Sequence, residues 1–402
     1  MTKKIQTILL CSQFFILLAL EMGNPFLPLL VHEQQNTGTL SPSIYSSILL
    51  ALPMLMTILM APIWGLLADR FGYKSMLMRA AWALVISQAC MAMAKSLFSI
   101  LLIRLLQGGF AGFIAAMQTY ALSLSNWENK GRQLARLQTS KALATSVAGA
   151  CGGFLLTFFG FKGLFLTASL FCLIPTLIMH WTLPESKSTM SAEKASQPSP
   201  PSLGLLFPSL ALLIILTQTA RFLPDSFFSI YASVFTEQPW LIGLLYSLPA
   251  TGILLSAEYC GRQFDKARGQ SGKIKTYFVT YSGIGMLLML AHACVQNFAL
   301  LCLIRLCWGI VIAALLPALF TLVSDLSPKQ GYAIGLANSL AKMGNLTGLL
   351  LGGWVAGFIP LPFIFFLLAM VYALISVACF ITQFTQMKIN KHSSTQFLGA
   401  KQ

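Results

Sequence analysis

Apolar runs of about 20 residues, cut by short polar clusters, recur along the whole chain, and each is long enough to cross a bilayer as a helix. Only 9% of the 402 residues are charged and 56% are hydrophobic, where a water-soluble domain carries about 25% charged residues. The polar surface needed to cover a globule in water is missing, so lipid is the solvent. The first residues, MTKKIQTILL, stay apolar on to Val31 without a small-residue cleavage site, which predicts an uncleaved first span.

Polar breaks predict helices over 6–31, 44–67, 77–95, 97–121, 136–159 and 163–181, then over 204–232, 241–259, 277–295, 297–323, 332–358 and 361–384. The fold class is therefore all-α integral membrane, with twelve transmembrane helices in two six-helix bundles, 1–183 and 204–386. Between them PESKSTMSAEKASQPSPPS is too polar and too rich in Ser and Pro to build a core, and 184–203 reads as a cytoplasmic linker. Residues 387–402 form a short cytoplasmic tail.

Lys and Arg set the orientation. With the amino terminus inside, the inner segments hold 20 of them and the outer loops only Lys95 and Lys162. Short loops with this asymmetry place both termini in the cytoplasm of a multi-pass protein, read as one of a bacterial inner membrane. The net charge of +15 faces anionic lipid and is no sign of a nucleic-acid partner. The nine cysteines show no CxxC or Cys/His spacing and read as small packing residues, so neither metal nor cofactor is expected. His32, His180, His292 and His392 are scattered, no P-loop is present, and enzyme chemistry finds no support. Energy must come from an ion gradient or from the solute's own.

The halves repeat. GLLADR at 65–70 is echoed by GRQFDK at 261–266, RLLQG at 104–108 by RLCWG at 305–309, and Gly152-Gly153 by Gly352-Gly353. Six-helix halves in parallel register are a transporter architecture.

On these motifs the chain resembles the major facilitator superfamily. GLLADRFGYKSML is similar to its motif A between helices 2 and 3, departing at Tyr73, and RLLQGGF is similar to the helix 4 motif of the drug/proton antiporter branch. In helix 5, where antiporters carry G-P-x-x-G-G, Ala148 and Gly149 replace the Gly-Pro and Gly152-Gly153 remain. The resemblance implies a gating motif at Gly65, Asp69, Arg70, Gly72 and Lys74, echoed at Gly261, Asp265 and Lys266. It would latch the halves together on the inner side when the cavity faces outward. Asp69 suits the positive end of a neighbouring helix, and Gly65 and Gly72 suit close approach and a turn. Helix packing falls to Gly152, Gly153, Gly344, Gly348 and Gly352. The stripe Gly344, Gly348, Gly352 and its helix 5 counterpart Ser140, Ala144, Ala148, Gly152 are read as sliding surfaces between the halves.

Charges at membrane depth are costly and usually face a cavity or a partner. Glu21, Arg104, Arg221, Asp225 and Arg305 fall on helices 1, 4, 7 and 10, which in the resembled family line the central cavity. Asn24 follows Glu21 by one turn, with Pro25 and Pro28 able to loosen the helix. Arg104, Gln107 and Gln118 form one stripe, Gln218, Arg221 and Asp225 another, and Arg305 shares a face with Trp308. Lys342 joins the cavity set or snorkels to the inner face, and Lys141, read as five residues into helix 5, snorkels.

The reading is a secondary active transporter working by alternating access, a monomer whose partners are a small-molecule substrate, protons and the bilayer. Glu21, and with it Asp225, carries the proton. The helix 4 motif favours export. Four cavity cations against two carboxylates favour an anionic or zwitterionic cargo such as a carboxylate siderophore. The alternatives are multidrug efflux of lipophilic compounds, import of an anionic metabolite or siderophore, and a non-transporting membrane sensor.

Overall fold

The computed structural model describes residues 3–34, 41–110, 112–124, 130–185, 206–267, 270–325 and 330–381, and all regular structure among them is helical. All of the predicted linker except Pro184 and Glu185, and the whole of the tail 387–402, lie outside the described residues.

Twelve spans follow in chain order. Span 1 is Lys3–Glu21 and Leu27–Gln34, joined by a 3-10 turn, Asn24–Phe26. Spans 2 and 3 are Pro42–Phe71 and Tyr73–Met93, and span 4 is Leu97–Phe110 plus Phe113–Ser123. Spans 5 and 6 run together as Lys130–Thr182, divided at Gly160, whose φ of 62° and ψ of −175° are not helical. Span 7 is Leu206–Phe222, a 3-10 turn Leu223–Ser226, and Phe228–Ser233. Spans 8 to 12 are Pro239–Ala267, Ser271–Cys294, Phe298–Asp325, Gln330–Ala356 and Leu361–Ile381.

Local chemistry sets the interruptions. Pro25 in span 1 and Pro224 in span 7 lack the N–H an α-helix needs, and each falls in a 3-10 turn. Gly72, at φ 88°, stops span 2 and turns the chain into span 3. Span 2 has 30 residues, about 45 Å at 1.5 Å each, so GLLADRF is its protruding last turns and not a loop. Ser96 and Ser99 cap the start of span 4 reciprocally, each backbone N–H donating to the other's hydroxyl at 3.2 Å. Asn297 Oδ1 caps span 10 by accepting from the N–H of Ala299 at 2.8 Å.

The internal repeat is a packing repeat. Span 1 packs on span 5, 3 on 6 and 2 on 4; correspondingly 7 packs on 11, 9 on 12 and 8 on 10. Gly108 lies against the Pro53 backbone in one half and Gly309 against the Pro249 backbone in the other, too close for any side chain. Across the halves, span 5 meets span 8 and span 2 meets span 11.

The glycine stripes do not do what their spacing predicts. Gly344, Gly348 and Gly352 press on Ile215, Thr219 and Leu223 of span 7, inside their own half. Gly152 presses on Met22 of span 1, and Ser140 donates to Leu10 O at 2.9 Å, again within one half. The second glycine of each pair makes the crossing, Gly153 against Pro239 and Trp240 and Gly353 against Ser43 and Ser47. Spacing shows that a neighbour comes close but not which one. A step of one residue, about 100° of helix, changes the partner.

These crossings, with Gly149 on Gly243 and Gly357 on Ser41, lie toward one end of the molecule. At the other end, which carries the basic loops, Gly65 and Gly261 face open space and Leu66 and Phe71 are exposed. The glycine contacts that cross between the halves gather at the first end, and at the basic end Gly65 and Gly261 have open space beside them.

Candidate functional site

The polar side chains of spans 1 and 4 form one connected chain. Arg104 Nη1 donates to Gln107 Oε1 at 3.1 Å and Nη2 to Asn24 Oδ1 at 3.2 Å, and Asn24 Nδ2 donates to Glu21 Oε2 at 3.1 Å. The break at Asn24–Pro25 turns the amide toward both charges. Four of the predicted site residues therefore meet. Gln118 does not join them, because span 4 is interrupted at Gly112, whose φ of 63° redirects the second segment.

A second group forms in the other half. Arg305 is buried at 2% exposure, its Nε donates to Leu245 O at 3.1 Å, and its guanidinium lies 3.7 Å from the Phe228 ring centre and 5.0 Å from that of Trp308. Trp308 Nε1 is fixed by donating to the Tyr372 hydroxyl at 2.7 Å. Asp225 lies within electrostatic reach of Arg305 and then Arg221, with the Tyr246 hydroxyl as its hydrogen-bonding neighbour. The predicted single face of Gln218, Arg221 and Asp225 is not present. The α-helix ends at Phe222, and no ion pair of 4.0 Å or less joins Arg221 to Asp225 among the described residues. Gln218 instead packs beside Gly344 and leaves its Oε1 without a partner.

Within these two groups, Arg104 Nε and Arg305 Nη1 are buried donors without a hydrogen-bond partner among the described residues. Buried polar atoms are nearly always paired, so such an atom calls for an explanation. Glu21 connects the groups, lying within electrostatic reach of Arg104, Arg221 and Asp225.

The Major Facilitator Superfamily model matches residues 9–286, the first half with part of the second, and again residues 210–397, within the second half and the tail. The chain belongs to the Major Facilitator Superfamily. It is a transporter rather than an enzyme, and a multi-pass membrane protein. It is 27% identical to a staphyloferrin B transporter of Staphylococcus aureus over 98% of this chain and 96% of that protein. It is 28% identical to the multi-drug resistance efflux pump PmrA homolog of Lactococcus lactis, over 86% of each. Against MdtG, a multidrug resistance protein of Rahnella, identity is 29% over 86% and 85%. Among solved structures it matches a D-xylose–proton symporter (TM-score 0.74, 15% identity, 95% and 98% covered). It also matches a bacterial homolog of the lysosomal transporter Spinster, inward-facing and occupied (TM-score 0.75, 13% identity, 95% and 97% covered). These two likenesses establish the fold.

A side chain built at Gly65 would meet open space, and Arg70, Asp265 and Lys266 are exposed. Asp69 is in the last turn of span 2, and its side chain falls outside the described residues. Lys74 makes a 3.3 Å ion pair with Glu185, at the end of span 6 in the same half. Lys342 is exposed on span 11.

Sequence reasoning missed Tyr246, Tyr372 and Phe228, aromatic residues that look like core filling in a chain with 29 Phe. It also misplaced Lys141. Span 5 begins at Lys130, so Lys141 stands eleven residues in, about 16 Å along, within electrostatic reach of Glu21 and Arg221. The charged start of this span, KGRQLAR, reads as loop, and that hid the first turns.

Proposed function

We propose that this transporter exports a small organic solute bearing carboxylates, in exchange for protons, by alternating access. The observation that carries the reading is the pair of unspent buried donors, Arg104 Nε and Arg305 Nη1, one in each half. A buried donor left unpaired costs about 1–3 kcal/mol, and a cargo carboxylate or an escorting water removes that cost. Arginine's planar fork is suited to carboxylates. With the basic loops in the cytoplasm, the end where Gly65 and Gly261 face open space is the inner one, where an exporter loads. The full-length likeness to a staphyloferrin B transporter supports a carboxylate cargo of siderophore type.

Glu21 brings in the proton. A cargo whose own positive group takes the proton's place beside Glu21 exchanges for protons and moves outward. A purely anionic cargo travels with the proton instead, held by cations that a protonated Glu21 leaves free. The direction of transport therefore follows from the cargo's charge pattern.

The second reading is efflux of lipophilic drugs. The likeness to the multidrug pumps and the aromatic wall of Phe228, Trp308 and Tyr372 favour it. Everted vesicles decide between the two. A carboxylate siderophore should accumulate on acidification of the lumen, a protonophore should abolish accumulation, and ethidium should be left unmoved. Ethidium uptake blocked by Glu21→Gln and untouched by Arg221→Lys overturns the carboxylate reading.

A further inference from the structure

We propose that the end of the molecule remote from the basic loops carries a binding site for a primary ammonium ion with a short apolar chain, a ligand distinct from the cargo. The binding is independent of the cargo's chemistry; its effect on transport rests on the alternating access proposed above.

A cavity of about 540 Å³ lies at this end and is lined from both halves. Its polar lining is His32 and Glu33 of span 1, Thr157 at the end of span 5, Ser233 at the end of span 7, and Glu237 in the connection to span 8. Its floor is apolar, with Leu156, Phe161 and Ile242. Small-ligand pockets have this size and make-up, mostly apolar with a few polar groups that choose the ligand. None of these residues belongs to the Arg104 or Arg305 group. The contacts of Gly153 on Pro239 and of Gly149 on Gly243 lie beside the cavity, so its walls exist only while the halves meet at this end.

The polar lining accepts hydrogen bonds and offers almost none. The Thr157 and Ser233 hydroxyls each donate to their own helix, to Gly153 O at 2.9 Å and Ile230 O at 2.8 Å, and only lone pairs are left for a ligand. Glu33 and Glu237 have no ion-pair partner within 4.0 Å among the described residues, and an ionised carboxylate only accepts. The nearby Trp240 indole N–H is spent on Gln238 Oε1 at 2.7 Å. Lys162 is exposed and outside the lining, and a neutral His32 supplies one donor against one acceptor. Such a wall selects a cation that brings N–H groups, and an ammonium brings three. The apolar floor takes its chain. A ligand that binds one arrangement of the halves and not another favours the first. An ammonium lodged here therefore opposes opening at this end and slows transport without entering the cargo's cavity.

The test follows thermal unfolding of the purified full chain in detergent, at neutral pH, against the concentration of hexylammonium. This probe should raise the unfolding temperature, and hexanol, equal in chain but uncharged, should not. Hexyltrimethylammonium, charged but without N–H, should bind more weakly; equal binding overturns the selection for donors. Glu33→Gln and Glu237→Gln, both at exposed positions, should each weaken hexylammonium roughly two- to fivefold, the scale of an exposed ion pair, and the double variant about tenfold. Glu21→Gln should leave the affinity for the probe unchanged. Hydrogen exchange at the end of span 5 and the start of span 8 should slow with the probe in the wild type and not in the double variant. An undiminished response in the double variant overturns the site. A response abolished by Glu21→Gln moves the cation to the central group and overturns it equally. Stabilisation without slowed exchange overturns the effect on the halves. Failure of the carboxylate reading in vesicles would leave all these outcomes unchanged, so the two are judged apart.

Discussion

Arg104 and Arg305 occupy corresponding places in the two halves, 201 residues apart, and are held by different chemistry. Arg104 is tethered by two neutral amides, Asn24 and Gln107. At the position matching Gln107 the other half has Trp308, and Arg305 lies against that ring and, more closely, against Phe228. Amide tethers are exchangeable, because a cargo oxygen can replace an amide oxygen at little cost. Aromatic faces fix a guanidinium without consuming its N–H donors. One scaffold thus presents a movable arginine beside Glu21 and a fixed one beside Asp225.

The largest effect that tests this contrast is loss of the fixed arginine. Arg305→Ala removes a buried cation near Asp225, and breaking such an arrangement costs about 3–5 kcal/mol. Arg104→Ala leaves behind the Asn24 and Gln107 amides and a Glu21 that keeps its bond from Asn24, at about 1–3 kcal/mol. Both variants should lose transport, but denaturant unfolding in detergent should separate them. Equal stability losses would break the comparison.

Next in size is Glu21→Gln, which keeps the bond from Asn24 but cannot titrate. Gradient-driven accumulation should disappear while cargo-for-cargo exchange in proteoliposomes survives. Loss of both would move the proton elsewhere, to Asp225 first.

The repeated loops extend the comparison. The first copy has Gly72 at φ 88° to turn the chain, whereas the corresponding position in the second is Arg268, outside the described residues. Asp69→Asn should therefore reduce transport at least tenfold and Asp265→Asn roughly twofold, with membrane insertion unchanged in both, since an inner latch held by a helix end is worth on the order of 1–2 kcal/mol. Vesicle uptake normalised to membrane-inserted protein reads this difference. Equal effects would mean that the two copies latch alike.

Much of the architecture was legible because hydropathy and loop charge are properties of single segments. The spans and the repeat follow from such local patterns, whereas the common cavity of Glu21 and Asn24 with Arg104 and Gln107 was implied by the resemblance to the superfamily. What failed needed knowledge of a partner. The stripe Gly344, Gly348, Gly352 signals a close neighbour, but spacing could not say that it is span 7 and not the other half. Arg221 and Asp225 were read on one continuous helix although Pro224 stands between them and removes an N–H. Lys141 was placed near the surface because the charged turns before it look like loop. In each case the missing information was which face of the helix met what.

The smallest effect separates the two tethers themselves. Phe228→Leu keeps most of the apolar volume but removes the ring 3.7 Å from the Arg305 guanidinium. A cation–π contact is worth about 0.5–2 kcal/mol depending on its desolvation. Without it Arg305 keeps its bond to Leu245 O but gains freedom to swing, so stability should fall by that amount and the cargo KM should rise a few-fold. Gln107→Leu removes one amide acceptor from Arg104 and leaves Asn24 in place. Because the cargo is proposed to displace that amide in any case, the loss falls mainly on the empty state. Stability should decrease slightly and KM should hold steady or fall. Opposite movements of KM in these two variants, measured in the same vesicles, are what a fixed arginine facing an exchangeable one requires; a parallel rise would mean that both tethers serve only to position the side chain.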